Sequence, residues 1–326
     1  MSYKVLITED IDVKGKNYLK EQGCEIKTIP DISEETLIKN IKDCDAVLTR
    51  NALINEKVIK SAKKLKVISM HGVGVDIIDV DAATKYGIQV TNAPESNKNS
   101  VAEYTIGLII ALSKNLLTYD KELRKGNFQI RKVLGMDLEG KTLGVIGMGN
   151  IGTLVAKKAS NGLNMKVIGF KRCIKNVVPM NNIELTSDID YLLKNSDFVT
   201  LHVPLTDGTK KLLGKRELDL MRSNAFLINT ARGEVVDNDA LVDALSSKKI
   251  AGSAIDVFEG EIPTKDNPLL SLDNVIVSPH TAAFTTETIA RMSLHSAMGI
   301  AEVLNGKEPT WPVNTIKDTL NCLSAK

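Results

Sequence analysis

Two late segments of the chain place a cation and a proton-exchanging ring just past short strand-like runs. Arg232 comes after the run at 225–229, and His280 comes after the run at 275–278. An arginine binds a carboxylate through two parallel N–H groups, and a histidine gives or takes a proton near neutral pH. This pair favours chemistry on a small carboxylic acid whose neighbouring oxygen gains or loses a proton.

Acidic residues at the end of the run 251–257 offer a partner for the histidine. An acid hydrogen-bonded to an imidazole fixes the tautomer of the ring and stabilises its protonated form. Spacing alone leaves three candidates open, which are Asp256, Glu259 and Glu261.

A glycine motif in the middle of the chain predicts a nucleotide site. It follows a strand-like run and opens a helical pattern, as Gly147-Met148-Gly149-Asn150-Ile151-Gly152. In such a turn the first glycine permits the bend, the second lets backbone approach a pyrophosphate, and the third lets helix and strand pack closely. The first N–H groups of the helix and its dipole favour phosphate. We therefore predict a nicotinamide dinucleotide cofactor; a glycine-rich turn without a ligand is the alternative.

The next strand ends differently from the usual NAD pattern. About 20 residues after the motif, an acid normally holds the ribose 2′-hydroxyl of NAD. Lys171 and Arg172 stand there instead, and no acid lies within 167–172. Because two cations attract a 2′-phosphate, we favour NADP over NAD. The alternative is that both are solvated surface cations and NAD is held by other groups.

The elements that carry these residues alternate between strand and helix along the chain, which predicts parallel sheets covered by helices on both faces. Ligands bind at the carboxyl ends of such strands. In the first series, strands are predicted at 4–8, 25–29, 46–49, 67–70 and 88–91. A first helix is predicted to end near residue 22, and further helices are predicted at 32–41, 56–62 and 79–86. In the second series, strands are predicted at 142–147, 165–170, 198–203, 225–229, 251–257 and 275–278.

Two helices connect these series. Ser100-Val101-Ala102-Glu103 has the capping-box pattern and predicts the start of one long helix through Leu117. A last helix, 285–305, comes after the second sheet is complete, so a return to the first domain is possible. Pro309 and Pro312 then predict an extended tail.

Length and charge set the class of protein. The chain has 326 residues, which suits two domains, and 42 basic against 40 acidic residues give a net charge of +2. Nucleic-acid binding would need a clustered basic excess, and a membrane span would need about 20 apolar residues. We predict neither partner. The first residues form a strand pattern without the features of a leader, so we expect a cytoplasmic location.

Cysteine usage gives no metal or redox motif. Cys24, Cys44, Cys173 and Cys322 are far apart and form no CxxC pair. We therefore predict reduced structural thiols and no bound metal.

These motifs, in this order, resemble those of the D-isomer-specific 2-hydroxyacid dehydrogenases. That family includes phosphoglycerate dehydrogenases, hydroxypyruvate and glyoxylate reductases, and D-lactate dehydrogenases. The similarity extends over nearly the whole chain. The matching segments are 71–76, 99–103, 202–206, Asn229-Thr230-Ala231-Arg232-Gly233, Asp256-Val257-Phe258-Glu259-Gly260-Glu261 and Pro279-His280-Thr281-Ala282.

The resemblance implies hydride transfer between a nicotinamide cofactor and a small 2-hydroxy or 2-keto acid. It implies that Glu261 is the partner of His280 and that Arg232 binds the substrate carboxylate. The predicted substrate contacts include backbone N–H groups and are His71, Gly72, Val73 and Gly74. The predicted cofactor contacts beyond the glycine motif are Val203, Pro204, Thr230, Ala231 and Asp256.

The resemblance also implies the architecture. A Rossmann cofactor domain at 100–284 would be inserted in a flavodoxin-like substrate domain at 1–99 and 285–326, with the active site in the cleft. A homodimer joined through the cofactor domain is expected.

Departures from the family pattern bear on the substrate. Met70 stands where many members have Arg or Lys, which disfavours a phosphorylated substrate; His71 either compensates in part or packs under the loop. The chain stops at Lys326, so we expect no appended regulatory domain and no serine feedback. A hydroxypyruvate or glyoxylate type of reductase is the main hypothesis and 3-phosphoglycerate dehydrogenase the alternative. Corepressors of the family, which are nucleotide-sensing binding proteins, are a remote third.

Overall fold

The computed structural model describes residues 2–173 and 182–316, which form two compact units. The first unit contains 2–97 and 284–316, and the second contains 98–173 and 182–283. The predicted domain boundaries, at 99/100 and 284/285, lie one or two residues from these divisions. Cys24, Cys44 and Cys173 are free thiols, and Cys322 lies outside the described residues.

The first unit is built on a parallel sheet with the strand order β2-β1-β3-β4-β5. This is the flavodoxin-like order 2-1-3-4-5. The strands are β1 (Tyr3–Ile7), β2 (Cys24–Thr28), β3 (Ala46–Thr49), β4 (Val67–Met70) and β5 (Gln89–Thr91). The helices within residues 2–97 are α1 (Val13–Glu21), α2 (Glu34–Ile41), α3 (Glu56–Ser61) and α4 (Val80–Lys85).

Both faces of this sheet are buried, which explains why its strands are continuously apolar. Val5 and Ile7 pack on one face, and Leu6 between them packs on the other. Side chains that accept backbone N–H groups start the helices, as Asp12 does for α1 and Ser33 for α2.

The second unit has a parallel sheet with the order β12-β11-β10-β9-β6-β7-β8. Counted from β6, this is the Rossmann order 3-2-1-4-5-6 with one more strand. The strands are β6 (Thr142–Ile146), β7 (Lys166–Phe170), β8 (Ile183–Thr186), β9 (Phe198–Leu201), β10 (Phe226–Asn229), β11 (Gly252–Ile255) and β12 (Val275–Val277). The helices are α5 (Lys98–Ser113), α6 (Leu116–Arg124), α7 (Asn150–Leu163), α8 (Ile189–Asn195), α9 (Lys215–Leu220) and α10 (Asn238–Ser246).

Strand β8 was not predicted, because it is a four-residue edge strand with an exposed glutamate. The other strands of both sheets lie at the predicted places, with ends displaced by a few residues. The predicted fold class, two doubly wound parallel-sheet domains, is confirmed by the two sheets.

The connection into the second unit corrects two predictions. Helix α5 begins at Lys98, so Ser100 lies inside it, and its hydroxyl donates to the carbonyl of Ala282 at 2.9 Å. The predicted capping box is therefore wrong. The single long helix is also wrong, because Asn115 takes a left-handed conformation (φ 52°) and separates α5 from α6. Among the described residues no single helix is long and apolar enough to span a membrane; α5 and α6 meet that test only as a pair bent by 59°.

The last helix, α11 (Thr286–Leu304), belongs to the first unit. Its residues Ala297 and Ile300 share an apolar cluster with Val5 and Ile7 of β1. The segment after it pairs with β5 through an antiparallel bridge between Thr91 and Pro312. The first unit is therefore discontinuous in sequence.

Candidate active site

The carboxyl ends of β10, β11 and β12 carry the three predicted catalytic side chains. Because these strands are parallel neighbours, their carboxyl ends lie at the same edge of the sheet. Arg232 follows β10, Glu261 follows β11 and His280 follows β12. The fold therefore brings together residues that are almost 50 positions apart in sequence.

His280 and Glu261 are directly hydrogen-bonded, between Nδ1 of the ring and Oε1 of the carboxylate. This bond, and secondly the positive charges of His280 and Arg232, hold the pKa of Glu261 below its ordinary value of 4.5 against the opposing effect of burial. The carboxylate is therefore ionised at neutral pH. With Nδ1 occupied, Nε2 is the ring nitrogen left to exchange a proton with a ligand.

Asp256 holds the segment that carries His280. Its carbonyl accepts the backbone N–H of His280 at 2.7 Å. Its carboxylate is completely buried and accepts the hydroxyl of Ser278 and the backbone N–H groups of Thr281 and Ala282, both at 2.9 Å. Asp256 was predicted as a cofactor contact, whereas the contacts seen are those of an anchor for residues 278–282.

Arg232 lies in a turn that the side chain of Asn229 holds with two hydrogen bonds. Asn229 accepts the N–H of Ala231 at 3.0 Å and donates to the carbonyl of Arg232 at 2.8 Å. A Cβ on Gly233 would lie 2.4 Å from the carbonyl oxygen of Phe258, so only glycine fits there. The segments that carry Arg232 and Glu261 are thus in backbone contact.

The glycine motif forms the turn from β6 into α7, and its geometry fits a dinucleotide. Gly147 has a φ of 103°, and a Cβ there would lie 2.4 Å from the carbonyl oxygen of His202. A Cβ on Gly152 would lie 2.0 Å from the carbonyl oxygen of Gly147. In contrast, a Cβ on Gly149 would meet no atom within 4 Å, which leaves space for a ligand.

The start of α7 completes that cradle. Gly149 is the N-cap residue and supplies no side-chain cap. The first-turn N–H groups of a helix point out of its N-terminus, so the turn that Asn150, Ile151 and Gly152 form suits a pyrophosphate.

The remaining predicted cofactor residues lie at neighbouring strand ends of the same sheet. Lys171 and Arg172 follow β7 and are exposed. Val203 and Pro204 follow β9, and Thr230 and Ala231 follow β10. The Val203 side chain lies 2.8 Å from the position of a Cβ on Gly147, so the two loops are in contact. Thr230 is buried, and its hydroxyl is hydrogen-bonded to that of Thr105 at 3.2 Å.

The predicted substrate loop follows β4 in the first unit. His71 is 4% exposed, its Nε2 lies 3.1 Å from the hydroxyl of Ser293, and burial lowers its pKa to about 4. It is therefore neutral and packs under the loop, so it does not replace the cation missing at Met70. The N–H of Gly72 donates to the carbonyl of Met70 at 2.9 Å. Within the described residues, the N–H groups of Val73 and Gly74 make no hydrogen bond.

The structure also shows contacts that the sequence did not predict. The anchoring role of Asp256 is visible only in the tertiary contacts. Its place at the end of an apolar run was the one signal in the sequence, because a buried acid needs hydrogen-bond donors around it. Asn92, which no sequence motif singled out, donates from Nδ2 to the carbonyl of Val73 at 2.7 Å. Within the described residues, no cluster of three or more His, Cys, Asp or Glu could hold a metal.

Comparison with known proteins places these features in a family. The model for "D-isomer specific 2-hydroxyacid dehydrogenase, NAD binding domain" matches residues 106–282, more than half of the chain. A D-3-phosphoglycerate dehydrogenase of Methanocaldococcus jannaschii is 43% identical over 93% of the chain, which spans 58% of that relative. A glyoxylate reductase of Thermofilum pendens is 41% identical over 95% of the chain and 94% of its own length. The solved structure of an NADPH-dependent glyoxylate/hydroxypyruvate reductase from Sinorhizobium meliloti is 26% identical, with a TM-score of 0.87 over 96% of this chain and 97% of that one.

Proposed function

The chain belongs to the D-isomer specific 2-hydroxyacid dehydrogenase family, and on that premise we propose that it is an oxidoreductase acting on a small 2-keto acid or D-2-hydroxy acid. The substrates we favour are glyoxylate and hydroxypyruvate. The observation that carries the proposal is the hydrogen bond between His280 and Glu261, with Arg232 close enough for its charge to lower the pKa of that glutamate.

His280 is the proposed acid and base. In reduction, protonated His280 gives the proton on Nε2 to the carbonyl oxygen of the substrate, and in oxidation the neutral ring takes the hydroxyl proton. Glu261 stays ionised, so it stabilises the charged ring and keeps Nδ1 as the inner nitrogen. Arg232 binds the substrate carboxylate and so orients the reacting carbon.

The predicted substrate loop, residues 71–74, follows β4 in the first unit. We propose that the N–H groups of Val73 and Gly74 bind a substrate carboxylate, which is consistent with their lack of other partners within the described residues. The N–H of Gly72 already donates to Met70. His71 supports the loop from below.

A nicotinamide dinucleotide supplies or accepts the hydride when it is bound. Residues 147–152 would hold its pyrophosphate, with Val203, Pro204, Thr230 and Ala231 around it. Lys171 and Arg172 support NADP as the preferred form, because they are exposed at the strand end where NAD-binding sheets have an acid. The name of the Sinorhizobium meliloti relative, an NADPH-dependent reductase, is in line with this preference.

A 3-phosphoglycerate dehydrogenase is the second candidate. The 43% identity to the Methanocaldococcus jannaschii relative favours it. Met70 argues against it, because this uncharged side chain stands at the predicted cation position beside the glycine loop (residues 71–74), and His71 is neutral.

We also propose a homodimer formed through the second unit. Six large apolar side chains between residues 116 and 134 are about half exposed or more, which is unusual for a lone surface segment. They are Leu116, Leu117, Leu123, Phe128, Val133 and Leu134. Light scattering on the wild-type chain and on Leu134→Glu tests this assembly. A cytoplasmic location remains a prediction.

The decisive experiment measures turnover of glyoxylate, hydroxypyruvate, pyruvate and 3-phosphohydroxypyruvate with NADH and with NADPH. We expect the highest kcat/KM with glyoxylate or hydroxypyruvate and NADPH. Fastest turnover of the phosphorylated acid would select the second candidate. His280→Ala should lower kcat by about 10²–10⁴-fold with little change in KM. Undiminished turnover in that variant would contradict the proposed function.

A further inference from the structure

The glycine loop after β4 is held by two of its carbonyl groups. The carbonyl of Gly72 accepts the backbone N–H of Ala93 at 2.7 Å, and the carbonyl of Val73 accepts the side-chain amide of Asn92 at 2.7 Å. Both donors come from the segment that follows β5. Two consecutive peptide units are therefore anchored to the same short stretch of chain.

This anchoring fixes the direction of two other groups. In a trans peptide the C=O of one residue and the N–H of the next lie in one plane and point in opposite directions. The bond from Ala93 to the Gly72 carbonyl therefore sets the direction of the Val73 N–H. The bond from Asn92 to the Val73 carbonyl sets the direction of the Gly74 N–H in the same way.

Neither of these N–H groups has another partner within the described residues, although Val73 and Gly74 are partly buried. A backbone N–H that is shielded from water needs an acceptor, so two such groups at the carboxyl end of a sheet indicate a place for one. Two adjacent N–H groups match the two oxygens of a carboxylate.

Asn92 is itself fixed by the tail of the chain. Its backbone N–H donates to the carbonyl of Trp311 at 3.4 Å, and the residue before it pairs with Pro312. Further along the same contact, the side chain of Asn314 accepts the backbone N–H of Val90 at 2.6 Å. The amide that holds the glycine loop therefore starts from a rigid strand end.

We propose that Asn92 is a positioning residue that aims the Gly74 N–H at the substrate carboxylate. The inference rests on the proposed function, in which the Val73 and Gly74 N–H groups bind that carboxylate. Asn92 has a second effect, because a hydrogen bond to the Val73 carbonyl polarises the peptide and strengthens the Gly74 N–H as a donor. Removal of this amide therefore weakens binding of the acid and leaves the cofactor site unchanged.

The experiment uses Asn92→Ala and the isosteric Asn92→Asp in the full chain. The aspartate replaces the donor by a carboxylate that repels the Val73 carbonyl. We expect the KM for glyoxylate and the Kd for oxalate, measured by calorimetry, to rise about tenfold in Asn92→Ala and further in Asn92→Asp. The KM for NADPH and the kcat at saturating acid should change by less than about threefold.

Asn314→Asp is the matched control. It makes the same substitution in a buried amide that holds the start of β5 but does not touch the glycine loop. Asn314 Nδ2 donates at 3.0 Å to the carbonyl of Ile88, the residue before this strand. We expect a lower Tm with unchanged KM for glyoxylate and unchanged Kd for oxalate. An equal rise of KM in this control would show that loosening of β5, and not aiming by Asn92, produces the effect.

The two proposals fail separately. If wild-type chain reduces 2-keto acids and Asn92→Ala binds oxalate with unchanged Kd, the role of Asn92 is wrong and the proposed function stands. If wild-type chain reduces none of the tested acids, the proposed function is wrong. In that case, the oxalate Kd of the Asn92 variants still decides whether this residue positions an anion site.

Discussion

His280 and Glu261 are hydrogen-bonded through their side chains, and both residues have left-handed backbone conformations, with φ of 53° and 71°. Neither is glycine, so each conformation costs on the order of 1–3 kcal/mol and needs support from its surroundings. For His280 that support is its backbone N–H, which donates to the carbonyl of Asp256 at 2.7 Å. The backbone at the end of β12 therefore holds His280 where its ring meets Glu261.

Glu261→Gln should lower kcat for reduction. The pKa of Glu261 is held below 4.5, chiefly by its hydrogen bond to His280, so the carboxylate is charged throughout the neutral range. The neutral amide removes this charge and can donate its own N–H to Nδ1, so the ring loses the partner that keeps Nδ1 as its inner, protonated nitrogen. Steady-state kinetics should show a kcat lower by about 10²-fold, with little change in the KM for NADPH. A wild-type kcat in this variant would show that the carboxylate has no part in the proton transfer.

Asp256→Asn should loosen the segment that carries His280. The amide places an NH₂ group where the carboxylate accepts the N–H groups of Thr281 and Ala282, so one buried donor is left without an acceptor. We expect a loss of about 1–3 kcal/mol in the free energy of unfolding, measured by urea denaturation. We also expect a fall in kcat with little change in the KM for NADPH. A large rise in that KM, with unchanged stability, would instead support the predicted cofactor contact.

Arg232→Ala should raise the KM for the 2-keto acid by about tenfold or more and should also lower kcat. The reason is that the substrate carboxylate loses the guanidinium that would bind it through two N–H groups. Steady-state kinetics measures both constants. Arg216→Ala is the control, since Arg216 is an exposed arginine of the same unit that pairs with Asp190 and Glu217. If both variants keep wild-type constants, Arg232 does not bind the substrate.

Lys171→Asp should reverse the cofactor preference. A carboxylate at the end of β7 repels a 2′-phosphate and accepts the ribose hydroxyls of NAD. The ratio of kcat/KM for NADPH to that for NADH should fall about tenfold or more. Lys166→Asp makes the same charge change at the amino end of the same strand and should leave the ratio unchanged. Equal ratios in wild type and Lys171→Asp would make Lys171 a bystander.

His71→Gln should flatten the pH dependence of stability. The pKa of His71 is lowered to about 4 by burial, whereas an unfolded histidine titrates near 6.5. Between these values the unfolded chain binds a proton that the folded chain does not, so stability falls as the pH decreases, by up to about 1.4 kcal/mol per pH unit. The effect is absent above the unfolded pKa. Urea denaturation at about pH 7.5, 6 and 5 compares the two slopes. Parallel curves would mean that His71 does not contribute to the acid sensitivity.

The sequence alone determined the class of fold and predicted the candidate site residues. The alternation of apolar runs with helices predicted two parallel-sheet domains, because strands buried on both faces must be continuously apolar. The carboxyl ends of parallel strands lie at one edge of a sheet. Because Arg232 and His280 each follow a strand, both were predicted to lie at the same site. The glycine motif predicted the turn from β6 into α7. The reason is steric, because there is no room for a Cβ at Gly147 or at Gly152.

Only the tertiary structure decided the contacts between these segments. Spacing left Asp256, Glu259 and Glu261 open as partners of His280, and the family resemblance alone selected Glu261, whose hydrogen bond to His280 the fold forms. The local pattern at Ser100 predicted a capping box, but the hydroxyl of Ser100 instead bonds to Ala282, and no local pattern indicated Asn92. These outcomes share one physical cause. Apolar periodicity and turn chemistry are local properties, whereas the partner of a polar side chain is chosen by whichever distant segment the packing brings within about 3 Å of it.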